Sequence, residues 1–174
     1  MAIIIPFNGV TPNIDDSAFV AHTAVVTGDV AIGADSGIWY GCVLRGDVNS
    51  IRIGAGVNIQ DGTVVHVSRP YPTVIGDRVS IGHMALIHAC TLEDDSFVGM
   101  KACVMDGAVV EAGALVAAGS LVTPGKRVPA GQMWAGSPAR YVRDVNDKDR
   151  EMMNYVQPNY VTLAREYKTT ESET

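Results

Sequence analysis

The chain has 174 residues, of which 47% are hydrophobic, 6% aromatic and 18% charged, and its formal net charge is −6. This length is enough for one domain with its own core, and the acidic charge argues against nucleic acid or an anionic membrane as the main partner. The three widely spaced cysteines do not suggest a disulfide framework and indicate the reducing cytoplasm. The sequence offers no apolar stretch long enough to cross a membrane and no signal peptide at its start.

The first predicted element is a lead-in strand in residues 1–13, and a repeat follows over residues 14–130. Within the repeat an aliphatic residue recurs at every sixth position, eighteen times with three breaks in phase, and a small or β-branched residue often follows four positions later. One large and one small inward residue in each hexapeptide is what a three-sided prism requires, whereas a sandwich of alternating strands does not explain a period of six. The aliphatic positions are Ile14, Val20, Val26, Ile32, Ile38, Leu44, Ile53, Ile59, Val65, Ile75, Ile81, Ile87, Leu92, Val98, Val104, Val110, Val116 and Val122.

This pattern resembles the hexapeptide-repeat family, whose fold is a left-handed parallel β-helix with three flat faces in each coil. With three hexapeptides in a coil, the eighteen units predict an all-β solenoid of about six coils. The left hand is implied by the family alone, because the general rule for crossover connections favours the opposite hand.

Residues 131–174 are predicted to close the repeat with a turn-rich segment and to continue as an α-helix. Asn146 or Asp147 is suited to cap the start of that helix, and Pro158 is expected to kink or divide it. Residues 168–174 are expected to form a frayed tail. A polar helix after a solenoid most simply caps an end or lies along one face.

The breaks in phase allow polar residues to be assigned to faces. Leu44 and Val65 are 21 residues apart, and Val65 and Ile87 are 22 apart, so each interval equals one 18-residue coil plus a few extra residues. If the extra residues form loops, the three aliphatic positions lie on one face of successive coils. The outward residues that follow them then form a column of Arg45, His66 and His88.

The same counting places His83 on the preceding face, in register with Asp61 and beside Gln60. His66 and His88 are therefore expected to converge within one chain, whereas His83 lies around a corner. Three imidazoles on one zinc must approach it to about 2.0–2.1 Å, so we expect His83 to reach the pair on a neighbouring subunit of a trimer. A polar trimer interface without metal is the alternative interpretation.

Five motifs in this order resemble the γ class of carbonic anhydrases. They are Arg-Gly-Asp at 45–47, Asn-Ile-Gln-Asp at 58–61, His66, His83 and His88. The resemblance extends to residues 136–140 and 155–161 and so covers nearly the whole chain. It implies a homotrimer in which His66, His83 and His88 bind zinc, or iron or cobalt, and metal-bound hydroxide hydrates CO₂ to bicarbonate and a proton.

The resemblance also implies roles for other residues. Arg45 and Asp47 would support the trimer and the site, and Gln60 would orient the metal-bound oxygen. Asn159 or Tyr160 from the C-terminal helix would reach over the site. We take Gln60, Arg45, Asp61 and Tyr160 as candidate catalytic residues, with CO₂ or bicarbonate as the small-molecule substrate.

Two departures from the family pattern leave other functions open. Some members carry a glutamate after the Arg-Gly-Asp motif and another in a loop after the first histidine, whereas this chain has Val48 and a carboxylate-free loop at 68–72. One alternative is a weakly active or inactive relative that serves as an assembly subunit or as a thioesterase for CoA esters. Another is a hexapeptide-repeat acyltransferase that uses one histidine as a general base, for which three aligned histidines are not needed.

Overall fold

The computed structural model describes residues 2–172, which form a parallel β-solenoid followed by one α-helix. The helix is α1 (Asp147–Ser172). The strands are β1 (Ile3–Ile5), β2 (Asn13–Ile14), β3 (Phe19–Val20), β4 (Val25–Ile32), β5 (Gly37–Ile38), β6 (Val43–Ile53), β7 (Asn58–Ile59), β8 (Val64–His66), β9 (Thr73–Ile75), β10 (Ser80–Ile81), β11 (Leu86–His88), β12 (Thr91–Leu92), β13 (Phe97–Val98), β14 (Cys103–Val104), β15 (Val109–Val110), β16 (Leu115–Val116), β17 (Leu121–Val122), β18 (Arg127–Val128), β19 (Gln132–Gly136) and β20 (Ala139–Asp144).

The strands stack into three faces. The first face contains β1, the first halves of β4 and β6, and then β8, β11, β14 and β17. The second contains β2, the second halves of β4 and β6, and then β9, β12, β15 and β18. The third contains β3, β5, β7, β10, β13, β16 and β19, with β20 antiparallel to β19. The parallel solenoid with a C-terminal helix is therefore confirmed.

The solenoid has about seven coils, so the predicted number of six was too low. At the N-terminal end, β1 pairs in parallel with β4 and supplies the first rung before residue 14. At the C-terminal end, β18 and β19 add rungs to the second and third faces. The six-residue count began at Ile14 and ended at Val122. It missed the first rung because Ile4 lies ten residues before Ile14, and it missed the last because Trp134 is not aliphatic, whereas Val128 continues the period and was left out of the count.

The core lies along the axis of the prism. Sixteen of the eighteen predicted aliphatic positions are buried, and each fully buried side chain of this kind contributes roughly 1.5–3 kcal/mol. The exceptions, Ile14 and Val20, are partly buried against the same cluster. They belong to the first coil, which is covered by a neighbouring coil on one side only.

Helix α1 lies along the third face. Of the two predicted caps, Asn146 is the one that the structure shows. Its Oδ1 accepts a hydrogen bond from the backbone N–H of Asp149 at 3.0 Å, and the Asp149 carboxylate accepts one from the N–H of Asn146 at 2.9 Å. Ala164 packs in a buried cluster with Phe19 and Trp39, which fixes the helix against the first two coils.

Pro158 does not divide the helix, contrary to the prediction, because α1 is continuous from Asp147 to Ser172. A proline removes one backbone hydrogen bond, but here the helix is held on both sides of it. Gln157 donates a 2.6 Å hydrogen bond to the carbonyl of Gly56, and Arg165 forms an ion pair with Asp35 at 2.9 Å.

The helix also includes most of the expected tail. Residues 168–172 are helical, and Lys168 donates a hydrogen bond to the carbonyl of Ala18 at 3.2 Å. Residues 173–174 lie outside the described part of the chain. No helix within residues 2–172 has both the length and the apolar character needed to cross a bilayer.

Candidate metal centre

The predicted polar column is present on the first face. Parallel pairing puts Arg45 opposite His66, and His66 opposite His88, on three successive coils. The extra residues of the longer coils lie at the corner between the first and second faces, directly after this column. The coil counting was therefore correct for these residues.

His66 and His88 approach each other closely. Nδ1 of His66 is 3.1 Å from Nε2 of His88, and the ring centroids are 5.1 Å apart. Two nitrogens bound to one tetrahedral zinc at about 2.0–2.1 Å are separated by roughly 3.3 Å. The pair therefore has nearly the spacing that a shared metal ion requires.

Each of these two rings has a carboxylate on its other nitrogen. Nε2 of His66 is 3.0 Å from Oδ1 of Asp47, and Nδ1 of His88 is 2.6 Å from Oδ1 of Asp106. If each ring donates to its carboxylate, the two facing nitrogens carry lone pairs and repel each other. A cation between them would remove this repulsion, and a carboxylate–histidine pair is the usual support of a metal-ligating histidine.

Both supporting carboxylates are held in the ionised form. Burial raises the pKa of Asp47, but hydrogen bonds from His66 and Arg45 outweigh it and lower the pKa to about 2. Burial likewise opposes ionisation of Asp106, but its hydrogen bond with His88 gives a net lowering of its pKa. At neutral pH these groups act as acceptors and favour donation from the imidazoles.

His83 lies at the corner between the third and first faces, after β10. Its Nδ1 is 2.9 Å from Oδ2 of Asp61, so this ring also has a carboxylate on one nitrogen. Its Nε2 is 3.5 Å from the hydroxyl of Tyr160, whose pKa is raised by burial and by the charge of Asp61. Within residues 2–172, no three histidine, cysteine or acidic side chains come close enough to hold a metal ion.

Gln60 is buried beside His83. Its Nε2 donates to Oδ1 of Asn58 at 3.0 Å, and Nδ2 of Asn58 donates to Oγ of Ser80 at 2.7 Å. This chain of hydrogen bonds fixes the amide of Gln60 at the edge of a cavity of about 500 Å³ that His83 and Tyr160 also line.

Sequence reasoning missed Asp106 and gave no role to Asn58 and Ser80. Asp106 lies 18 residues after His88, which is one coil, so the counting that aligned the histidines would also have found it. Arg45 forms an ion pair with Asp47, a contact that was not predicted from the sequence. Asn159 is exposed, and Tyr160 is the helix residue that reaches His83.

Comparison with known proteins identifies relatives along most of the chain, although no protein-family model matches. The chain is 49% identical over 161 residues to Gamma carbonic anhydrase 2, mitochondrial, of Arabidopsis thaliana, which is 89% of this chain but 58% of the plant protein. It is 40% identical over 171 residues to the Carbonic anhydrase of Geobacillus kaustophilus, which covers 98% of this chain and 94% of that protein.

A solved structure shares the fold over almost its full length. It is described as a hexapeptide transferase family protein from Anaplasma phagocytophilum and matches with a TM-score of 0.91 and 48% identity, covering 95% of this chain and 98% of its own. The two carbonic anhydrase relatives, together with the histidine column, identify the family at the level of sequence. The chain belongs to the γ-class carbonic anhydrase family.

Proposed function

We propose that this chain is a zinc-dependent carbonic anhydrase that interconverts CO₂ and bicarbonate at sites shared between the subunits of a homotrimer. The observation that carries the proposal is the pair of ring nitrogens on His66 and His88, which face each other at 3.1 Å while a carboxylate occupies the other nitrogen of each ring. Iron or cobalt would also suit three imidazole ligands.

The metal would be held by His66 and His88 of one subunit and by His83 of the next. When bound, zinc supplies a coordinated water that ionises near neutral pH, an effect for which carbonic anhydrase is itself the standard example. Asp47, Asp106 and Asp61 orient the three rings and keep them good donors. These residues fit a zinc ion because each of the three imidazoles has a carboxylate on one of its ring nitrogens.

The other polar residues act on the substrate side. Gln60 has one amide N–H committed to Asn58, which leaves its second N–H for an oxygen of CO₂ or bicarbonate. Tyr160 is a second donor at the same end of the cavity. Arg45 neutralises Asp47 and so limits the negative charge beside the histidine pair. The released proton would pass through ordered water to buffer, since Val48 replaces the family's glutamate.

The trimer is supported by the outward side chains of the first face. One column of this face is apolar in all seven coils, and a run of this length is unusual on the surface of a monomer. Its members are Ile3, Val25, Val43, Val64, Leu86, Cys103 and Leu121. The equivalent column of the second face is mixed and includes Arg52 and Arg127.

The candidate ligands lie at opposite edges of this first face. His66 and His88 end β8 and β11, whereas His83 lies in the turn before β11. If three copies turn their first faces toward a common axis, one edge of each copy meets the other edge of the next. Such an arrangement would complete three equivalent sites in a closed ring.

A hexapeptide-repeat acyltransferase is the second candidate, since a solved structure of the same fold is described as a hexapeptide transferase family protein. An acyltransferase would use one histidine as a base and would have no use for facing lone pairs on two others. The cytoplasmic location remains a prediction from the three free cysteines, and the plant relative is named mitochondrial.

The proposal is tested by metal content and by mixing variants. Elemental analysis of the purified protein should find about one metal ion per chain, and stopped-flow measurements should find CO₂ hydration by the loaded protein. His66→Ala and His83→Ala should each lose the metal. Mixing these two variants should restore roughly a quarter of the sites. A site is complete only where the His66–His88 pair comes from a His83→Ala chain and His83 comes from a His66→Ala chain, which random mixing produces at about one interface in four.

A matched mixture serves as the control. His66→Ala mixed with His88→Ala should restore no site, because both residues must come from the same chain. Equal metal content in the two mixtures, after subunit exchange has been verified by mass spectrometry, would exclude shared sites. Full metal loading without CO₂ hydration would favour the inactive relative, and absence of metal would favour the acyltransferase.

A further inference from the structure

The cavity that Gln60 and His83 line is larger than the proposed substrate needs. Its volume of about 500 Å³ is typical of cavities that hold drug-sized ligands, roughly 300–1,000 Å³, whereas CO₂ has only three atoms. Most of its wall is apolar. The apolar side chains are Phe97, Met100, Leu115, Val116, Met133, Met152 and Val156.

The floor of the cavity arises from small residues at one repeated position. This position is the residue directly after each strand of the third face. It is large after β5 and β7, where it is Trp39 and Gln60. It is small after β10, β13 and β16, where it is Gly82, Gly99 and Ala117. A Cβ on Gly99 would lie 2.4 Å from the backbone nitrogen of Ala118, so close stacking of the coils excludes a side chain there. The floor is therefore a fixed part of the solenoid.

The opposite wall is one stripe of helix α1. Asp149, Met152, Val156 and Tyr160 are three or four residues apart and line the same cavity. Tyr160 comes eleven positions after Asp149, about 16 Å along the helix axis. The cavity is thus elongated, and its methionine side chains can adapt to ligands of different shape.

Its two ends differ in charge and hydrogen bonding. At the far end the carboxylate of Asp149 is paired with Arg143 at 3.0 Å. At the near end the second N–H of Gln60 is available as a donor, the hydroxyl of Tyr160 faces Nε2 of His83 at 3.5 Å, and Asp61 lies 2.9 Å from His83. Without the charge of a metal ion to offset Asp61, a neutral oxygen acceptor suits the near end better than a free carboxylate, which Asp61 would repel.

We propose that this cavity binds the apolar chain of a neutral carbonyl compound, an ester, thioester or amide of a medium-length acid, with its carbonyl oxygen at the free N–H of Gln60. This proposal rests on the proposed function only in placing the carbonyl group beside the candidate metal centre. The chain-binding wall belongs to a single subunit, so it can be tested without metal.

Methionine methyl groups provide the readout. Three methionines line the cavity, Met100, Met133 and Met152, whereas Met84, Met105 and Met153 do not. In the full-length protein labelled with ¹³C-methyl methionine and stripped of metal, octanamide should shift the first three signals saturably and leave the other three unchanged. Acetamide carries the same head group and should bind at least 30-fold more weakly, since each buried methylene changes affinity by about fourfold.

Ala117→Leu fills the floor and should weaken octanamide binding at least tenfold. Ala130→Leu places the same side chain at an exposed position and should leave binding unchanged. Equal shifts at the three methionines of the cavity and at Met84, Met105 and Met153, equal affinity for the two amides, or unchanged binding in Ala117→Leu would overturn the proposal.

Occupation of the cavity by a neighbouring subunit would also overturn it. In that case the three signals would respond to dilution of the oligomer and not to octanamide, and Ala117→Leu would change the molecular mass in solution. Metal content and CO₂ hydration are measured separately, so failure of the metal proposal leaves this test unaffected.

Discussion

The first and third faces of the solenoid have the same kind of inward residue, but their outward residues pack against different partners. Both are built from the buried aliphatic ladder, for example Leu44 and Ile59. On the third face the outward residues Phe19 and Trp39 are buried by helix α1 of the same chain. On the first face the outward apolar column has no helix over it within the described residues, and Ile3 and Val64 are 47% and 38% exposed.

The comparison shows that the inward and outward residues of a hexapeptide carry separate information. The inward residues determine the prism, and the outward ones determine what each face binds. The third face contacts α1 through edge-to-face aromatic pairs, with ring centroids 5.3 Å apart for Trp39 and Tyr167 and 5.4 Å apart for Trp39 and Tyr160. In our proposal the first face binds further copies of the chain.

The largest expected effect comes from a charge on the first face. Leu86→Lys places an ammonium in the middle of the apolar column and should convert the trimer to monomers, with complete loss of bound metal. Sedimentation velocity and metal analysis check this. Thr91→Lys is the matched change on the second face and should keep both the trimer and the metal. A trimeric, loaded Leu86→Lys protein would show that the subunits meet elsewhere.

A smaller effect is expected at the edge of the same face. Asp106→Asn removes the charge that supports His88 and should lower zinc affinity by about 10–100-fold while the trimer remains intact. Competition with a chromogenic chelator measures the affinity. Asp95→Asn changes a carboxylate at another corner, where it pairs with Arg78, and should leave the affinity unchanged. Equal zinc affinities of the wild type and Asp106→Asn would show that the charge of Asp106 does not contribute to metal binding by His88.

The smallest effect is expected at the start of helix α1, which covers the third face. A hydrogen bond from Arg143 is the main cause of the lowered pKa of Asp149, and the backbone N–H of Asn146 adds to it against burial. A lowered pKa in the folded state stabilises the protein above the ordinary pKa of about 3.9, and this contribution is lost as the pH falls through the folded value. Asp149→Asn should therefore reduce stability by about 1 kcal/mol at pH 7 and by almost nothing in strong acid.

Urea unfolding followed by circular dichroism at both pH values checks this last prediction. Asp147→Asn removes a charge from the same helical turn at an exposed position and should cost less at pH 7. A loss for Asp149→Asn that is independent of pH would attribute its effect to packing rather than to charge.

Much of this organisation could be predicted from the sequence, because the period of six and the lengths of the coils are one-dimensional information. They predicted the buried ladder, the register of His66 with His88, and the place of His83 around the corner. They did not predict the continuity of α1 at Pro158, which depends on contacts such as that of Gln157 with Gly56. The cavity was also missed, since it forms only where small residues of the solenoid meet a helix far away in the chain.

The path of α1 has a consequence for synthesis on the ribosome. The helix is made after the solenoid, but Ala164, Arg165 and Lys168 contact the first two coils, at Phe19, Asp35 and Ala18. Until these helix residues emerge, the aromatic side chains on those coils stay uncovered. A nascent chain should therefore expose an apolar patch while the rest of the solenoid is being made, and this patch is open to chaperones in that interval.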